Sequence, residues 1–151
     1  MDNRMSWEDY FFKIMDIVAE RSTCLRRKVG AIFVKDKRIL VTGYNGAPSG
    51  ITHCLDVGCL RDKMEVPSGQ RHELCRAVHA EQNAIVQASV HGVSLFGSVL
   101  YVPVNPCSIC MKMLINVGVK AIYCREEYPD ELSLELLRES NIEMYLQGGL
   151  R

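Results

Sequence analysis

Ser98-Val99-Leu100-Tyr101-Val102-Pro103-Val104-Asn105-Pro106-Cys107-Ser108-Ile109-Cys110-Met111-Lys112-Met113-Leu114-Ile115-Asn116-Val117-Gly118-Val119-Lys120-Ala121-Ile122-Tyr123-Cys124 is the stretch whose reading decides the fold. Ser98 to Val104 is rich in β-branched and aromatic side chains and reads as a strand. Cys107 to Val117 has helical character and stops at Gly118, a residue suited to the left-handed backbone that ends helices. Val119 to Cys124 is apolar again and reads as a further strand. Strand, helix and strand in that order belong to an α/β sheet.

The same alternation extends outward. Upstream, His79 to about His91 is helical, with Ala80, Ala84, Ile85 and Ala88 able to share a face and Gly92 as the stop. Downstream, Pro129 to Ser140 is an amphipathic helix, with Pro129 near its first turn and Leu132, Leu134, Leu136 and Leu137 as its apolar positions. Ile142 to Leu146 closes as a short strand, and 147–151 is expected to be a loose tail. Near the start, Trp7, Tyr10, Phe11, Ile14, Met15 and Val18 recur at helical spacing between Ser6 and about Cys24. Ser6 is the expected N-cap, with Glu8 and Asp9 in the first turn. Val29 to Val34 and Ile39 to Tyr44 are strands on either side of the charged turn Lys35 to Arg38, an antiparallel hairpin. Residues 45–78 show no period and hold several glycines and prolines, three cysteines and two histidines. Structureless connections longer than about 15 residues are uncommon in compact domains. This one is therefore read as a loop pinned by metal and lining a site. The sum is a single α/β domain over 1–151, a three-layer α/β/α sandwich around a five-stranded mixed sheet.

A chain of 151 residues, 48% of them apolar, suits one compact core. Lys plus Arg and Asp plus Glu both number 18. Binding of long nucleic acid is driven by phosphate neutralisation and selects a basic excess, so this balance argues for a small substrate. Met1 to Tyr10 is polar and mixed in charge, unlike a signal peptide. No apolar run nears the roughly 20 residues of a membrane span. A soluble, cytoplasmic protein without a membrane partner is the expectation. The seven cysteines are Cys24, Cys54, Cys59, Cys75, Cys107, Cys110 and Cys124. Their odd number rules out a complete intrachain disulfide set, and in a reducing compartment close-spaced cysteines favour metal.

Two segments carry the chemistry: His79-Ala80-Glu81 and Pro106-Cys107-Ser108-Ile109-Cys110. Cys107 and Cys110 stand at i and i+3 on the first turn of a helix, where the dipole favours the thiolates that zinc requires. His79 heads another helix and adds an imidazole. Three protein ligands leave the fourth tetrahedral position to water, the arrangement of catalytic zinc. Glu81, two residues on, would sit beside that water and exchange protons with the substrate without ligating the metal. Alone, the cysteine pair also fits a redox pair or half of a structural zinc site. Joined to His-x-Glu, it matches the signature of zinc deaminases.

The sequence resembles the cytidine and deoxycytidylate deaminase superfamily from about Ser6 to Leu146. The narrower likeness is to deoxycytidylate deaminases and bacterial competence-operon proteins of that type. It is carried by Arg21-Ser22-Thr23-Cys24, Lys28-Val29-Gly30-Ala31, Thr42-Gly43-Tyr44-Asn45-Gly46 and His79-Ala80-Glu81-Gln82-Asn83-Ala84-Ile85. The resemblance implies a five-stranded sheet with zinc held between two helices. It also implies a nucleotide contact from Asn45, although Asn-Gly is itself a common turn former. Gly46, Ala80 and Tyr128 complete the expected substrate contacts, and the turn from Asn45 to Gly50 is expected to bind sugar and phosphate through backbone N–H groups. The chain departs from the family at Pro103 and Asn105, which puts strand pairing beside the site in doubt. Some bacterial and phage relatives hold a structural zinc, and Cys24, Cys54, His72 and Cys75 are the expected ligands here, with Cys59 as a spare. Buried free cysteine is the plainer alternative. Cys124 is assigned to the core, and His53 and His91 to no ligand role. Of the basic run Arg26, Arg27 and Lys28, one side chain is within reason as a phosphate contact.

The function expected from all this is zinc-dependent hydrolysis of dCMP to dUMP and ammonia by a homo-oligomer. The resemblance implies hexamers in some relatives and control by deoxycytidine and thymidine triphosphates. The rivals are deamination of tRNA adenosine, free cytosine, guanine or a pterin-like ring, and a zinc-stabilised binding domain without activity.

Overall fold

The computed structural model describes residues 2–148. The hairpin forms as β1 (Gly30–Lys35) and β2 (Arg38–Tyr44), paired antiparallel from Gly30↔Tyr44 to Lys35↔Arg38. Its turn is tight because Asp36 and Lys37 both take positive φ, 50° and 60°, as a two-residue hairpin loop requires. β1 also pairs antiparallel with β3 (Val99–Tyr101), and β4 (Ala121–Cys124) and β5 (Glu143–Leu146) follow in parallel. The sheet is thus mixed and five-stranded, in the order β2-β1-β3-β4-β5.

Strand alternation sorts the layers. Ala31, Phe33, Leu100, Ile122 and Met144 point to one face of the sheet and share a core with Ala84, Met111 and Leu137. Those three come from α4 (Ala80–His91), α5 (Ser108–Val117) and α6 (Glu131–Glu139). Ile32, Val34 and Tyr101 point to the other face, under Phe11, Phe12 and Met15 of α1 (Trp7–Ala19). Each such buried side chain stabilises the fold by about 1.5–3 kcal/mol. This is the expected three-layer sandwich, with one helix on one face and three on the other.

Glycines set how closely the helices approach. A Cβ on Gly43 would lie 2.4 Å from the Ala80 carbonyl oxygen and 2.5 Å from the Ala84 nitrogen. Bare backbone at Gly43 therefore lets the first turn of α4 rest on β2, and that turn carries His79 and Glu81. Gly43→Ala is expected to cost about 3 kcal/mol, because backbone atoms on both sides must move. It should also loosen the metal by shifting His79 away from the cysteines. Urea unfolding and zinc content of the purified variant check this; a stability within about 0.5 kcal/mol of the parent would contradict the account.

Several boundaries differ from the sequence reading. The strand expected to run to Val104 ends at Tyr101. Pro103 has no N–H for a ladder; its carbonyl instead accepts from the backbone of Arg125 and Glu126 at 3.0 and 3.1 Å, and Val104 bridges Glu126 in parallel. The last helix begins at Glu131, two residues after Pro129, because Asp130 is the N-cap and accepts from the Ser133 N–H at 3.0 Å. The first helix ends at Ala19, short of Cys24. The stretch 45–78 contains α2 (Cys54–Val57), α3 (Leu60–Lys63) and a 3-10 turn at His72–Leu74, each too short to leave a period in the sequence. Of the expected tail, Gln147 donates to the Cys124 carbonyl at 2.8 Å and the Gly148 N–H to Glu8 at 3.2 Å, while 149–151 lie outside the described residues. Among the described residues no helix is long and apolar enough to cross a membrane.

Candidate active site

His79 is the N-cap of α4, and its own N–H is held by the Gln82 side chain at 2.8 Å. Cys107 is the N-cap of α5, with Cys110 one turn inside. The two helix starts meet behind the sheet. His79 Nδ1 lies 3.5 Å from Cys107 Sγ and 3.4 Å from Cys110 Sγ. Among the described residues, only His79, Cys107 and Cys110 bring three ligand atoms within 4.8 Å of one another. Two thiols and an imidazole are a donor set that zinc accepts readily, and three ligands leave one tetrahedral position open.

Glu81 lies one helical residue beyond Ala80 and is buried; its Oε2 accepts from Cys110 Sγ at 3.7 Å. Burial pushes its carboxyl above the ordinary range, since a charged form loses water there. The cysteines divide their protons unequally. A hydrogen bond from Cys110, helped by His79, holds the Cys107 thiol far below its usual range. The same bond and the neighbouring burial push Cys110 far above it. His79 is raised by its contact with the Cys107 sulfur.

The last helix and the loop before it brace this arrangement. Asp130 caps two helices at once: beside its bond to Ser133, it accepts from the Ser108 N–H of α5 at 2.9 Å. Ser133 Oγ, fully buried, donates to the Pro106 carbonyl at 2.5 Å. Asn105, 1% exposed, grips the backbone of Tyr128, donating to its carbonyl at 3.0 Å and accepting its N–H. The departure at Asn105 is therefore a clamp between the cysteine turn and the segment after β4. None of these braces was read from the sequence. Asp130 before a leucine-rich helix was the available signal for its cap, whereas nothing in the sequence marked its second partner.

The expected substrate residues fare unevenly. Asn45, Ala80 and Tyr128 line one pocket together with His79, Glu81 and Cys107. Asn45 is already committed to the fold: its Oδ1 accepts from the Val29 N–H and its Nδ2 donates to the Arg27 carbonyl, both at 2.8 Å. The Tyr128 hydroxyl abuts Gly69, where an added Cβ would collide with it, so the pocket is roofed by the loop that carries Gly69. Gly46 requires correction. Its N–H and carbonyl both pair with Val78, at 3.2 and 2.8 Å, and the Asn45 N–H pairs with Val29. The start of that turn offers no backbone N–H to a phosphate.

Of the expected second ligand set, His72 packs its ring edge-on against His79 with centroids 5.1 Å apart. Among the described residues, no three of Cys24, Cys54, Cys59, His72 and Cys75 bring their ligand atoms within 4.8 Å of one another. The electrostatic neighbours of Cys54, which with burial raise its thiol, are Cys75, Cys59 and Cys24. Cys124 is buried in the main core as expected.

Sequence and fold comparisons agree with this geometry. The family model for the cytidine and deoxycytidylate deaminase zinc-binding region matches residues 5–126. ComE operon protein 2 of Bacillus subtilis (strain 168) is 42% identical over 83% of this chain and 62% of its own length. The deoxycytidylate deaminase of Schizosaccharomyces pombe is 32% identical over 93% of this chain and 44% of its own. The chain thus spans under two thirds of the length of these curated relatives. The crystal structure of dCMP deaminase from the cyanophage S-TIM5, in complex with dCMP and dUMP, superposes with a TM-score of 0.75. It is 32% identical, over 95% of this chain and 99% of the phage one. With the family match covering both chemical motifs and most of the sheet between them, this chain belongs to the cytidine and deoxycytidylate deaminase family.

Proposed function

We propose that this chain is a zinc-dependent deaminase that converts dCMP and water into dUMP and ammonia. The observation that carries the reading is the buried Glu81 carboxyl beside an open three-ligand set, in a pocket also lined by Arg26, Arg27 and Arg61. Proton-transfer chemistry and cationic side chains share one pocket, which suits a base carrying a phosphorylated sugar. The activities of the S. pombe and cyanophage S-TIM5 relatives support the same substrate.

His79, Cys107 and Cys110 would hold the zinc, which when bound lowers the pKa of water towards about 7. Glu81 takes a proton from the attacking water and delivers it to ring N3 as the water oxygen adds to C4. Glu81 then takes the second proton from the new C4–OH and gives it to the departing amine; the C4–N bond breaks as the C4 carbonyl forms, and ammonia is released. Burial serves this cycle, because a desolvated carboxyl holds a proton at neutral pH more readily than an exposed one. A second, structural zinc belongs to the same reading, with Cys24, Cys54, His72 and Cys75 as its ligands and Cys59 as the spare. Beside burial, Cys75, Cys59 and Cys24 act on the Cys54 thiol, which supports a site built around Cys54. Self-association is part of it as well, and α4 leaves Val86 and Val90 exposed.

The test is ammonia release by the purified chain against dCMP, CMP, deoxycytidine and a tRNA anticodon stem, with zinc measured on the same sample. Fast turnover of dCMP is expected. Turnover of the tRNA stem alone, or of none of them with zinc bound, would reject the reading. Two zincs per chain would support the second site, and one would remove it.

A further inference from the structure

Cys107 is the metal ligand least held by its own helix. Cys110 is fully buried inside α5, as are Met111 and Leu114, and His79 is fixed by Gln82 of its own α4. Cys107 is only partly buried and stands at the N-cap, with φ −66° and ψ 169°, before the helix begins. Its place is set instead by the peptide groups on either side of it. On one side the Pro106 carbonyl accepts from Ser133 Oγ at 2.5 Å. On the other the Ser108 N–H donates to Asp130 Oδ2 at 2.9 Å. Both partners belong to the first turn of α6, 27 and 22 residues away along the chain.

The two partners are also joined to each other, because the Ser133 N–H donates to Asp130 Oδ1 at 3.0 Å. Ser133 and Pro106 are fully buried, so water has no access to the bond between them. A buried peptide group that loses its partner keeps its whole desolvation cost, which makes this grip on Cys107 stiff. Capping α6 accounts for one of the two oxygens of Asp130. A single side-chain oxygen suffices for an N-cap, and Ser or Asn serves about as well as Asp. The second oxygen goes to the start of α5, where a carboxylate also suits the positive end of the helix dipole. Asp130 is absent from the lining of the pocket, so it reaches the chemistry through Cys107 rather than through the substrate.

We propose that Asp130 is a positioning residue for the metal. Through the Ser108 N–H, and with Ser133 on the Pro106 carbonyl, it holds Cys107 against His79 and Cys110 and sets how long zinc stays bound. The inference rests on the zinc reading above and adds to it a residue beyond the ligands and the pocket. Outer partners of metal ligands are typically worth about 10- to 100-fold in metal affinity.

The experiment follows zinc release from the loaded chain into excess chromophoric chelator, with the melting temperature of each metal-free chain measured beside it. The zinc of this site is the release phase that Cys110→Ser abolishes. Asp130→Ser keeps one oxygen to cap α6 and gives up the bond to α5. Ser108→Pro removes the N–H from the other side and leaves α6 untouched. Proline is favoured at the first helical position, and the extended ψ of Cys107 is what a following proline requires. Each variant should speed that phase about 10- to 100-fold. Each should melt within about 4 °C of the parent, the shift of one ordinary hydrogen bond. The double variant should release zinc no faster than the faster single one, because both changes remove the same bond. With cobalt(II) in place of zinc, the d–d bands should change in both single variants, a mark of altered ligand geometry that looser packing of α6 would not give. Unchanged release in Ser108→Pro would overturn the proposal, and that readout stands even where Asp130→Ser fails to fold. So would effects that multiply in the double variant, or faster release only where the metal-free chain melts further below the parent. A chain in which Cys110→Ser alters no release phase would sink the metal reading itself. Release that responds as expected, without turnover of dCMP, would sink the proposed reaction and leave the role of Asp130 standing.

Discussion

Replacing Glu81 with glutamine should lower turnover of dCMP by roughly 1,000- to 10,000-fold while zinc stays bound at the parent stoichiometry. The amide has the carboxyl's shape, so the packing of α4 against β2 is kept. It cannot take up or release a proton, so every step that moves hydrogen between water, ring N3 and the amine loses its carrier. Zinc should remain because Glu81 is outside the ligand group formed by His79, Cys107 and Cys110. Thermal stability should hold or rise. The parent keeps an ionisable carboxyl in a fully buried position, and its raised pKa measures the desolvation that the neutral amide avoids. The set of results is what discriminates. Zinc at parity, a melting temperature no lower and activity gone would identify a proton carrier. A variant as active as the parent would end the mechanism, and one that loses zinc and stability together would recast Glu81 as scaffolding.

How much of this was legible beforehand follows from the range of each interaction. The sheet and its layers were, because the apolar, β-branched runs of β1 and β3 and the helical spacing in α1 and α4 are written in consecutive residues. So was the grouping of His79, Cys107 and Cys110, since both helix starts are marked by their own short motifs. What escaped is what long-range contacts decide. Asp130 caps its own helix, which a sequence can suggest, and also caps α5 through Ser108, which it cannot. Asn105 and Tyr128 stand 23 residues apart and meet only because β4 runs parallel to β3. The ring contact between His72 and His79 links the long loop to the start of α4 and leaves no mark in the sequence. Arg61 escaped too. Arginine in a loop is normally solvated, and only the folded chain shows this one enclosed.

Removal of the metal gives the other large effect. Chelation by a zinc-selective reagent should abolish ammonia release, and added zinc should restore it. Cys110→Ser should weaken zinc retention by more than about 100-fold, because a neutral hydroxyl replaces a thiolate at a fully buried ligand position. The two thiols also predict a proton count. In the metal-free chain Cys107 is held as the thiolate by the proton that Cys110 shares with it, so the pair carries one proton rather than two. Zinc binding must expel that proton, since both sulfurs ligate as thiolates. His79 adds to the release only while it is protonated. Its pKa is raised in the folded metal-free chain, so the extra proton is released at pH values below that raised pKa and disappears as pH rises through it. Calorimetric titration of zinc into the stripped protein, repeated in buffers of different ionisation enthalpy, reads the number directly. For the zinc held by His79, Cys107 and Cys110, titrated with the proposed structural site already filled, release falling to about one proton at the alkaline end is the expected result. Two protons or more persisting there would mean that both thiols start protonated, and that the helix starts of α4 and α5 do not prepare Cys107 for the metal as their geometry indicates.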